Sequence, residues 1–502
     1  MKEKERKEAA NRLMDGITDL KDELILTADQ PVKKDARGRA SDPGRTRRTV
    51  IGVSFVAAVL IAAVITLVVL RGSGSKEAGT GAKAGQETEQ ITEDVPEVFR
   101  PEVVNLAEGV KQEEQEYKAV SAEHGSALST GAVQLLLTTM EQEGKPDQNY
   151  LISPVSLQMA CGMLAAGTEA GSETGKELME LLMPGTGATP AELNQEMASL
   201  AKRMRTSIGV DWNVVNSLWI KKDGDVTLTE EYLSDAVNYY QAELYAAPFD
   251  TTTVDEINAW VKQNTKDRIP KILEYLDEKT VLVLVNALAF DGEWEIPIGT
   301  NKVKENADFT NADGTKSKAT MLQSEEQGYV TLSGGQGFLR PYKGGNYAFL
   351  GLLPPEGMTA EEYLKQILAS DTAISEAIRS RDYAPILEVE FPEFKAEYGA
   401  TMNDTLKALG VKKAFLPEAE FGRMITPESQ RISVDQVTHM SMIEVDRTGT
   451  KAAAATAIAA TEAAVMEQPE VIKITLDRPF IYAIIDMYTG IPVFLGVQNT
   501  MK

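Results

Sequence analysis

The sequence is poor in the two side chains that most often build covalent or metal centres. It contains a single cysteine, Cys161, and two histidines, His124 and His439. One cysteine cannot close a disulfide within the chain, and two histidines without a Cys/His spacing motif predict no zinc or other metal site. The apolar surroundings of Cys161, LQMACGMLAAG, favour a buried core thiol over a reactive one. We therefore expect a protein without disulfide, metal or cofactor.

Basic residues are scarce as well. The chain has 51 Lys and Arg against 75 Asp and Glu, which gives a formal net charge of −24. Binding to a nucleic-acid backbone requires clustered positive charge, so this composition argues against nucleic acid as a partner. The hydrophobic fraction of 43% and the charged fraction of 25% are typical of a globular protein with a buried core.

One long stretch lacks charge altogether: VIGVSFVAAVLIAAVITLVVL, residues 50–70. Its 21 residues are enough to cross about 30 Å of hydrocarbon as a helix. The long polar segment before it favours an uncleaved anchor over a signal peptide, which has a shorter apolar core and a short basic leader. Basic residues are dense before the stretch and sparse after it. The positive-inside rule therefore predicts a cytoplasmic tail, residues 1–49, and an extracellular remainder.

The rest of the chain divides by composition into a linker and a domain. Residues 71–115 are dominated by Gly, Ser, Glu and Gln, which predicts a flexible, solvated linker. Residues 116–502 have a globular pattern. Helical runs such as STGAVQLLLTTME come first, and strand-like runs such as TVLVLVNALAF and ILEVEFPEF follow. We predict one mixed α+β domain with a large sheet.

Two motifs resemble catalytic or nucleotide-binding signatures without meeting their requirements. LSGGQGF, residues 332–338, lacks the Gly-Lys-Ser/Thr of a phosphate-binding loop and is interpreted as an ordinary loop. Ser153, Ser156 and His439 suggest a serine hydrolase, but no Gly-x-Ser-x-Gly elbow surrounds either serine. ISPVSLQ is instead typical of a helix start, with Ser153 as the N-cap and Pro154 in the first turn. We therefore predict that the protein is not an enzyme.

The stretch DRTGTKAAAATAIAATEAAVMEQPE, residues 446–470, consists almost entirely of small side chains. Alanine is the best helix former, but the apolar stripe of a stable surface helix is missing. The alternative is a segment that can become a strand, with Gly449 ahead of it as a hinge. A period of two then places only small or modest side chains on one face: Thr450, Ala452, Ala454, Thr456, Ile458 and Ala460. The stretch taken alone leaves both interpretations open.

Six blocks of sequence, in order, resemble the serpin family over essentially all of residues 116–502. They are NYLISPVSLQMACGMLAAGTEAGSETGKELMELL, VLVNALAFDGEWEIP, FPEFKAEYGATMNDTLKALGVKKAF, ISVDQVTHMSMIEVDRTGT, TGTKAAAATAIAA and LDRPFIYAIIDMYTGIPVFLGVQ. The resemblance implies a serpin fold, with about nine helices around three β-sheets and an exposed reactive-centre loop. Here the fold follows one predicted transmembrane helix. The resemblance also implies suicide inhibition, in which a serine protease cleaves the loop, forms a covalent acyl-enzyme and is trapped when the loop inserts into the main sheet.

The same resemblance assigns roles to individual residues. A polar cluster beneath the opening sheet, the shutter, is expected to consist of Ser153, Ser156, Asn286 and His439. The breach, where insertion begins, is expected to contain Trp294 and Glu393. The hinge is expected to consist of Arg447, Thr448, Gly449, Thr450, Ala452, Ala453, Ala454 and Ala455.

Arg447 occupies a position that is usually acidic in inhibitory serpins. In some members that acid pairs with a basic residue at the position where this chain has Glu393. We therefore predict a reversed ion pair between Arg447 and Glu393. The alternative is two unrelated solvated charges, and an exposed pair would contribute less than about 1 kcal/mol.

The usual loop length of the family, counted from Arg447, places the reactive bond between Ala463 and Ala464. The loop is longer than in common members, so the bond can slip to Val465 or Met466. No Lys or Arg occurs in residues 452–472, which leaves nothing for a trypsin-like enzyme and favours an elastase-like target. Cleavage after Met466 would favour a chymotrypsin-like or broad protease instead.

These inferences combine into one expectation. The protein is predicted to be a monomeric, single-pass membrane protein of bacterial type, with an extracellular serpin domain that inhibits a serine protease. A non-inhibitory serpin that acts as a binding or scaffold protein is the alternative.

Overall fold

The middle of the sequence forms the centre of the largest sheet. Strand β6, Leu282–Glu293, has the sequence LVLVNALAFDGE and is buried along nearly its whole length. A run that is apolar on both faces is typical of a central strand covered on both sides. The computed structural model describes residues 102–116, 118–222, 226–277, 279–427, 430–450 and 470–501, without the side chain of Thr450.

Nine α-helices occur within the described ranges, as the resemblance implied. Six of them begin at a Ser or Thr whose side-chain oxygen accepts a backbone N–H of the first turn. Ser153 is one of these N-caps, with Pro154 directly after it, as predicted. The helices are α1 (Ala122–Glu143), α2 (Pro154–Ala166), α3 (Glu173–Leu182), α4 (Pro190–Arg205), α5 (Glu230–Tyr240), α6 (Thr253–Asn264), α7 (Ala360–Leu368), α8 (Ile374–Arg379) and α9 (Asn403–Ala408).

The strands form three large sheets and one small one over the described residues. The main sheet has the spatial order β1 (Val104–Asn105), β5 (Glu243–Ala247), β3 (Val210–Lys221), β6, β15 (Gln436–Val445) and β13 (Phe394–Thr401), and β16 (Gly449–Thr450) pairs with β6. The second sheet has the order β2 (Tyr150–Ile152), β19 (Pro492–Gln498), β18 (Phe480–Asp486), β11 (Tyr347–Leu353), β10 (Gly335–Pro341) and β9 (Val330–Leu332). The third has the order β17 (Val471–Thr475), β12 (Ile386–Pro392), β8 (Lys316–Glu326) and β7 (Val303–Thr310), and β14 (Ile425–Thr426) pairs with β4 (Thr227–Leu228).

Apolar clusters cover both faces of the main sheet. Alternate residues of β6 belong to the two different clusters, because successive side chains of a strand point to opposite faces of the sheet. Leu284 and Leu288 belong to the larger cluster, which includes α1, α2 and the second sheet. Val283 and Val285 belong to the smaller cluster, in which Trp260 of α6 packs over the sheet. A strand added beside the lower part of β6, at Val283 and Val285, would therefore be buried on both faces.

The predicted α+β class is confirmed, and the predicted linker differs from the structure at its end. Residues 102–115 were assigned to the linker, but β1 pairs with the edge strand β5 and Val103 packs into the smaller cluster. The apolar side chain of Val103 and the unpaired edge of β5 explain this docking. A prediction based on the average composition of the segment detects neither feature.

No helix long and apolar enough to span a membrane lies in the described ranges, and the predicted span at residues 50–70 falls outside them.

Candidate functional site

The predicted polar cluster forms beneath the seam between β6 and β15. We use "seam" for the parallel pairing that runs from Gln436 beside Val283 to Met442 beside Ala289. His439 and Asn286 are directly paired across it. The N-terminus of α2 lies below, so the structure brings together all four residues predicted for the shutter.

Hydrogen bonds fix the protonation state of His439. The backbone N–H of Ser153 donates to His439 Nε2 over 3.0 Å, so this nitrogen must be the acceptor. Nδ1 therefore carries the proton and donates to Asn286 Oδ1 over 2.6 Å. The amide nitrogen of Asn286 donates in turn to the backbone oxygen of Ser156 over 2.9 Å. A chain of directed bonds thus links β15, β6 and α2.

Complete burial explains the electrostatics of this cluster. His439 has 0% exposure, and desolvation lowers its pKa from 6.5 to about 3. The imidazole of His439 is neutral, and both of its nitrogens are hydrogen bonded. Because it and the two serines are buried, a substrate cannot reach them. The same holds for Cys161, which is buried and whose pKa is raised to about 12 by desolvation. These groups therefore maintain structure and do not form a hydrolase site.

Two members of the cluster were missed from the sequence. Asn216 of β3 is paired with Asn286 and accepts hydrogen bonds through Oδ1 from the side chains of Asn286 and Ser156. The side chains of Ser441 and His439 are hydrogen bonded at Nε2, 2.8 Å apart. For Asn216 the sequence signal was a polar residue within an apolar strand pattern, NVVNSLWI, and it could be interpreted only once the register of β3 was known.

The predicted hinge begins where β15 ends. The carboxylate Oδ1 of Asp446 accepts the backbone N–H groups of Thr448 and Gly449, over 2.7 and 3.0 Å, and closes a tight turn. The chain then reverses, and Gly449 pairs antiparallel with Glu293 of β6. At Gly449 φ is 152°, and an added Cβ would lie 2.1 Å from the carbonyl oxygen of Gly292. Only glycine fits this approach.

Trp294 connects the hinge to the top of β6. Its indole Nε1 donates to the carbonyl of Asp446 over 2.8 Å, and its backbone N–H donates to the carbonyl of Thr448 over 3.0 Å. The ring stacks on Tyr342 with 4.6 Å between centroids. Trp294 therefore holds both sides of the turn, at the position predicted for the breach.

The contact between Arg447 and Glu393 is present, but it is not the predicted ion pair. The backbone N–H of Arg447 donates to Glu393 Oε1 over 3.2 Å, and the two side chains form no ion pair with each other. Partial burial raises the pKa of Glu393, and the Arg447 N–H opposes that rise. A main-chain donor does not depend on the identity of residue 447, which explains why Arg is tolerated there.

A buried charge pair below the breach was not predicted. Arg340 of β10 pairs with Glu326 of β8 and also donates to the carbonyl of Ile296, and both side chains are at most 7% exposed. The guanidinium carbon lies 5.0 Å from the centre of the Trp294 ring. Burial raises the pKa of Glu326, and the charge of Arg340 opposes that rise. Arg340 packs over the face of Trp294, and no local sequence pattern predicts that residues of β8 and β10, which belong to different sheets, meet.

The other residues predicted for the hinge and the reactive bond belong to the segment between β16 and β17. Ala452, Ala453, Ala454 and Ala455 of the hinge, and the proposed reactive-bond residues Ala463, Ala464, Val465 and Met466, lie outside the described residues. The described chain resumes at Glu470, whose carbonyl accepts the N–H of Ile386. The loop therefore connects the top of β6 to the start of the third sheet.

Comparison with known proteins identifies the class to which this fold and site belong. The model of the family described as Serpin (serine protease inhibitor) matches residues 128–500. The chain therefore belongs to the serpin family, whose members are generally inhibitors of serine proteases and not catalysts.

Individual relatives agree with this assignment. Serpin-Z1B of Triticum aestivum is 30% identical over 376 residues, which cover 73% of this chain and 93% of the relative. Alpha-1-antitrypsin 1-1 of Mus musculus is 28% identical over 402 residues, covering 78% and 93%.

A solved structure, that of the thermophilic serpin tengpin in the native state, is 31% identical with a TM-score of 0.71. It is matched over 100% of its length by 80% of this chain, so the matched part contains a complete folding unit. Tengpin in the latent state gives a lower TM-score of 0.63.

We expect His439 to make the native state sensitive to acid. In the unfolded chain His439 binds a proton below about pH 6.5, whereas in the folded protein it does so only near pH 3. The contribution of this site to the free energy of unfolding is therefore complete above pH 6.5 and is lost as the pH falls towards 3. Between these two pH values, His439 should contribute about 1.4 kcal/mol per pH unit to the slope of the free energy of unfolding against pH. The measurement is the urea midpoint between pH 7 and pH 4 for the wild type and for His439→Gln. The variant should show the smaller slope, and equal slopes would contradict the assignment.

Proposed function

We propose that this chain is a suicide inhibitor of serine proteases that traps its target by inserting the cleaved loop into the β6–β15 seam. The observation that carries the proposal is the geometry of that seam. β6 and β15 are parallel neighbours, and β16 already pairs antiparallel with β6 directly above their point of separation. A loop that continued from β16 between the two strands would be antiparallel to both.

The register of β16 predicts where each loop residue would lie after insertion. Thr450 pairs with Gly292, so continuing downward one residue at a time places Ala454 beside Leu288 and Thr456 beside Asn286. Paired residues point to the same face of a sheet, and Leu288 belongs to the larger core cluster. The small side chains Thr450, Ala452, Ala454, Thr456, Ile458 and Ala460 would therefore face that core, with Thr456 over the shutter.

Insertion would release substantial free energy. A central strand is hydrogen bonded along both edges, and each backbone bond contributes about 1 kcal/mol net, so a strand as long as β6 would gain more than about 10 kcal/mol. Antiparallel pairing is also slightly more stable per residue than the parallel pairing that it replaces. The native seam must therefore be metastable.

The chemistry of the trap follows from that of the target. The serine oxygen of the protease attacks the carbonyl carbon of Ala463, the bond to Ala464 breaks, and the new amino terminus leaves with the displaced proton. The loop remains attached to the protease as an ester. The absence of Lys and Arg from residues 452–472 supports an elastase-like target, whose shallow pocket accepts Ala or Val.

The cellular setting is part of the proposal. The uncharged stretch at residues 50–70 and the basic residues before it support a single-pass anchor with a cytoplasmic N-terminus. The serpin domain would then be displayed, as a monomer, outside a bacterial cell, where it would intercept proteases of a host or of neighbouring microbes.

We expect residues 94–502, mixed with pancreatic elastase, to give a band at the summed mass that survives boiling in denaturant. The carboxyl group at the cleavage site should map to Ala463 or to one of the next three residues by mass spectrometry. The melting temperature of the cleaved, protease-free domain should rise because the loop has inserted. Complete cleavage without the band and without the rise would contradict inhibition and favour a binding or scaffold serpin.

The face assignment can be tested with two matched substitutions. Ala454→Arg places a charge in the core on insertion, whereas Ala453→Arg places the same charge on the opposite face, which Lys451 already shares. We expect Ala454→Arg to be cleaved without trapping the protease, because burying an unpaired charge costs several kcal/mol, and Ala453→Arg to retain most trapping. The readout is the ratio of complex to cleaved chain. Similar ratios for the two variants would overturn the register.

A further inference from the structure

Asp435, the residue before β15, closes the end of the seam that is furthest from the hinge. Its carboxylate oxygen Oδ2 accepts two consecutive backbone N–H groups, from Val281 over 2.7 Å and from Leu282 over 3.0 Å. Its own backbone N–H donates to the carbonyl oxygen of Leu282 over 3.0 Å. We call these three hydrogen bonds the clamp. Asp435 therefore binds the first residue of β6 through both its side chain and its main chain.

Asn403 fixes the clamp to the β15 side of the seam. The amide nitrogen of Asn403, the first residue of α9, donates to the backbone carbonyl of Asp435 over 2.7 Å. Its amide oxygen accepts the backbone N–H of Val437 over 2.9 Å. Asp435 and the start of β15 are thus held against α9. Opening the seam at this end therefore requires the carboxylate of Asp435 to release β6.

The clamp occupies the two backbone groups of Leu282 that face the seam. The N–H and the carbonyl of one strand residue point to the same edge of the strand, and this direction alternates along the chain. Trp294, an even number of residues further on, points its N–H to the same side, where it donates to the carbonyl of Thr448. The even-numbered residues of β6 are therefore those to which a strand inserted in the seam would be hydrogen bonded.

One loop residue would compete with the clamp for these groups. Thr450 pairs with Gly292, so the same register places Ala460 beside Leu282 after insertion. The two residues of a hydrogen-bonded antiparallel pair exchange both N–H···O bonds, so Ala460 would have to displace the clamp. Ala463, the proposed point of attachment to the protease, comes after Ala460. The last part of the loop would therefore enter only once the clamp has opened.

We propose that Asp435 is a positioning residue that sets the rate of the last step of loop insertion, a role that rests on the proposed function. Hydrogen bonds to a carboxylate are charge-assisted and about twice as strong as neutral ones. The inserted strand replaces them with neutral backbone bonds, so the exchange at Leu282 is less favourable than at a pair where β15 contributes backbone groups alone. While insertion waits at this point, water can hydrolyse the ester and release free protease and a cleaved chain. The clamp would thus set the division between trapped and released protease.

Annealing of synthetic loop peptides to residues 94–502 tests the clamp directly. A peptide with the sequence of residues 450–463 would reach past Leu282, whereas one with the sequence of residues 450–457 would end beside Val285, above the clamp. Native mass spectrometry follows the rate at which each peptide binds. We expect Asp435→Asn to accelerate annealing of the long peptide about tenfold, because it removes the charge from both side-chain hydrogen bonds. The rate for the short peptide should not change.

Glu177 of α3 provides a matched control. Its Oε2 also accepts two consecutive backbone N–H groups, from Lys412 over 2.8 Å and from Lys413 over 2.7 Å, but these bonds involve neither β6 nor β15. Glu177→Gln should leave both annealing rates unchanged and lower the melting temperatures of the native and the peptide-annealed forms alike. Asp435→Asn should lower the melting temperature of the native form only, because the long peptide has already displaced the clamp in the annealed form.

The outcomes separate the role of Asp435 from the proposed insertion. Equal annealing rates of the long peptide for the wild type and Asp435→Asn, or equal acceleration of both peptides, would overturn the role of Asp435 and leave insertion intact. The same conclusion would follow if Asp435→Asn lowered both melting temperatures. If neither peptide annealed to any of these proteins, the proposed insertion itself would be refuted. Asp435→Ser, which has a shorter neutral side chain, repeats the test if Asp435→Asn does not fold.

Discussion

The parallel pairing between β6 and β15 is the constraint on which the rest of this structure depends. Every other neighbour of these two strands is antiparallel, namely β3, β13 and β16. A strand entering the seam would convert the centre of the sheet to antiparallel pairing and double the backbone hydrogen bonds available there. On the proposed insertion, the sheet would have a nearby state of lower free energy, and the native fold would persist because other contacts keep the seam closed.

Those contacts lie at two levels along the seam. At mid-height, His439 connects both strands to the N-terminus of α2 through hydrogen bonds whose direction is set by the Ser153 N–H. At the top, Trp294 holds the turn that precedes Gly449, and it packs against the buried Arg340. Buried polar networks of this kind are stable when every member is satisfied and weaken sharply when one is lost. If the loop inserts as proposed, both levels would hold the seam closed, and the contacts of His439 would weaken in acid.

Much of this arrangement was predictable from the sequence, and the reasons are local. The apolar run at 280–290 predicted a strand, and the Ser-Pro pair at 153–154 predicted a helix start. The family resemblance grouped Ser153, Asn286 and His439, which the structure brings into contact. That the small side chains after Gly449 suit a segment that enters a sheet stays a prediction, because residues 451–469 lie outside the described residues.

What could not be predicted depends on contacts between distant parts of the chain. Asn216 joins the shutter only through the register of β3, and Glu326 meets Arg340 from another sheet. Glu393 was expected to bind a guanidinium, but it binds a backbone N–H, because the path of the turn decides which donor arrives. Residues 102–115 have the composition of a linker, and the burial of Val103 together with the free edge of β5 explains why the segment docks.

The central claim is that the seam must open for this protein to trap a protease. Ala287 of β6 and Met440 of β15 are direct neighbours across it, and replacing both by cysteine would allow a disulfide to lock the seam. The native Cys161 is buried and would not interfere. We predict that the oxidised variant is cleaved by elastase without forming the stable complex, and that reduction restores the complex. Equal trapping in the oxidised and reduced forms would contradict insertion at this seam.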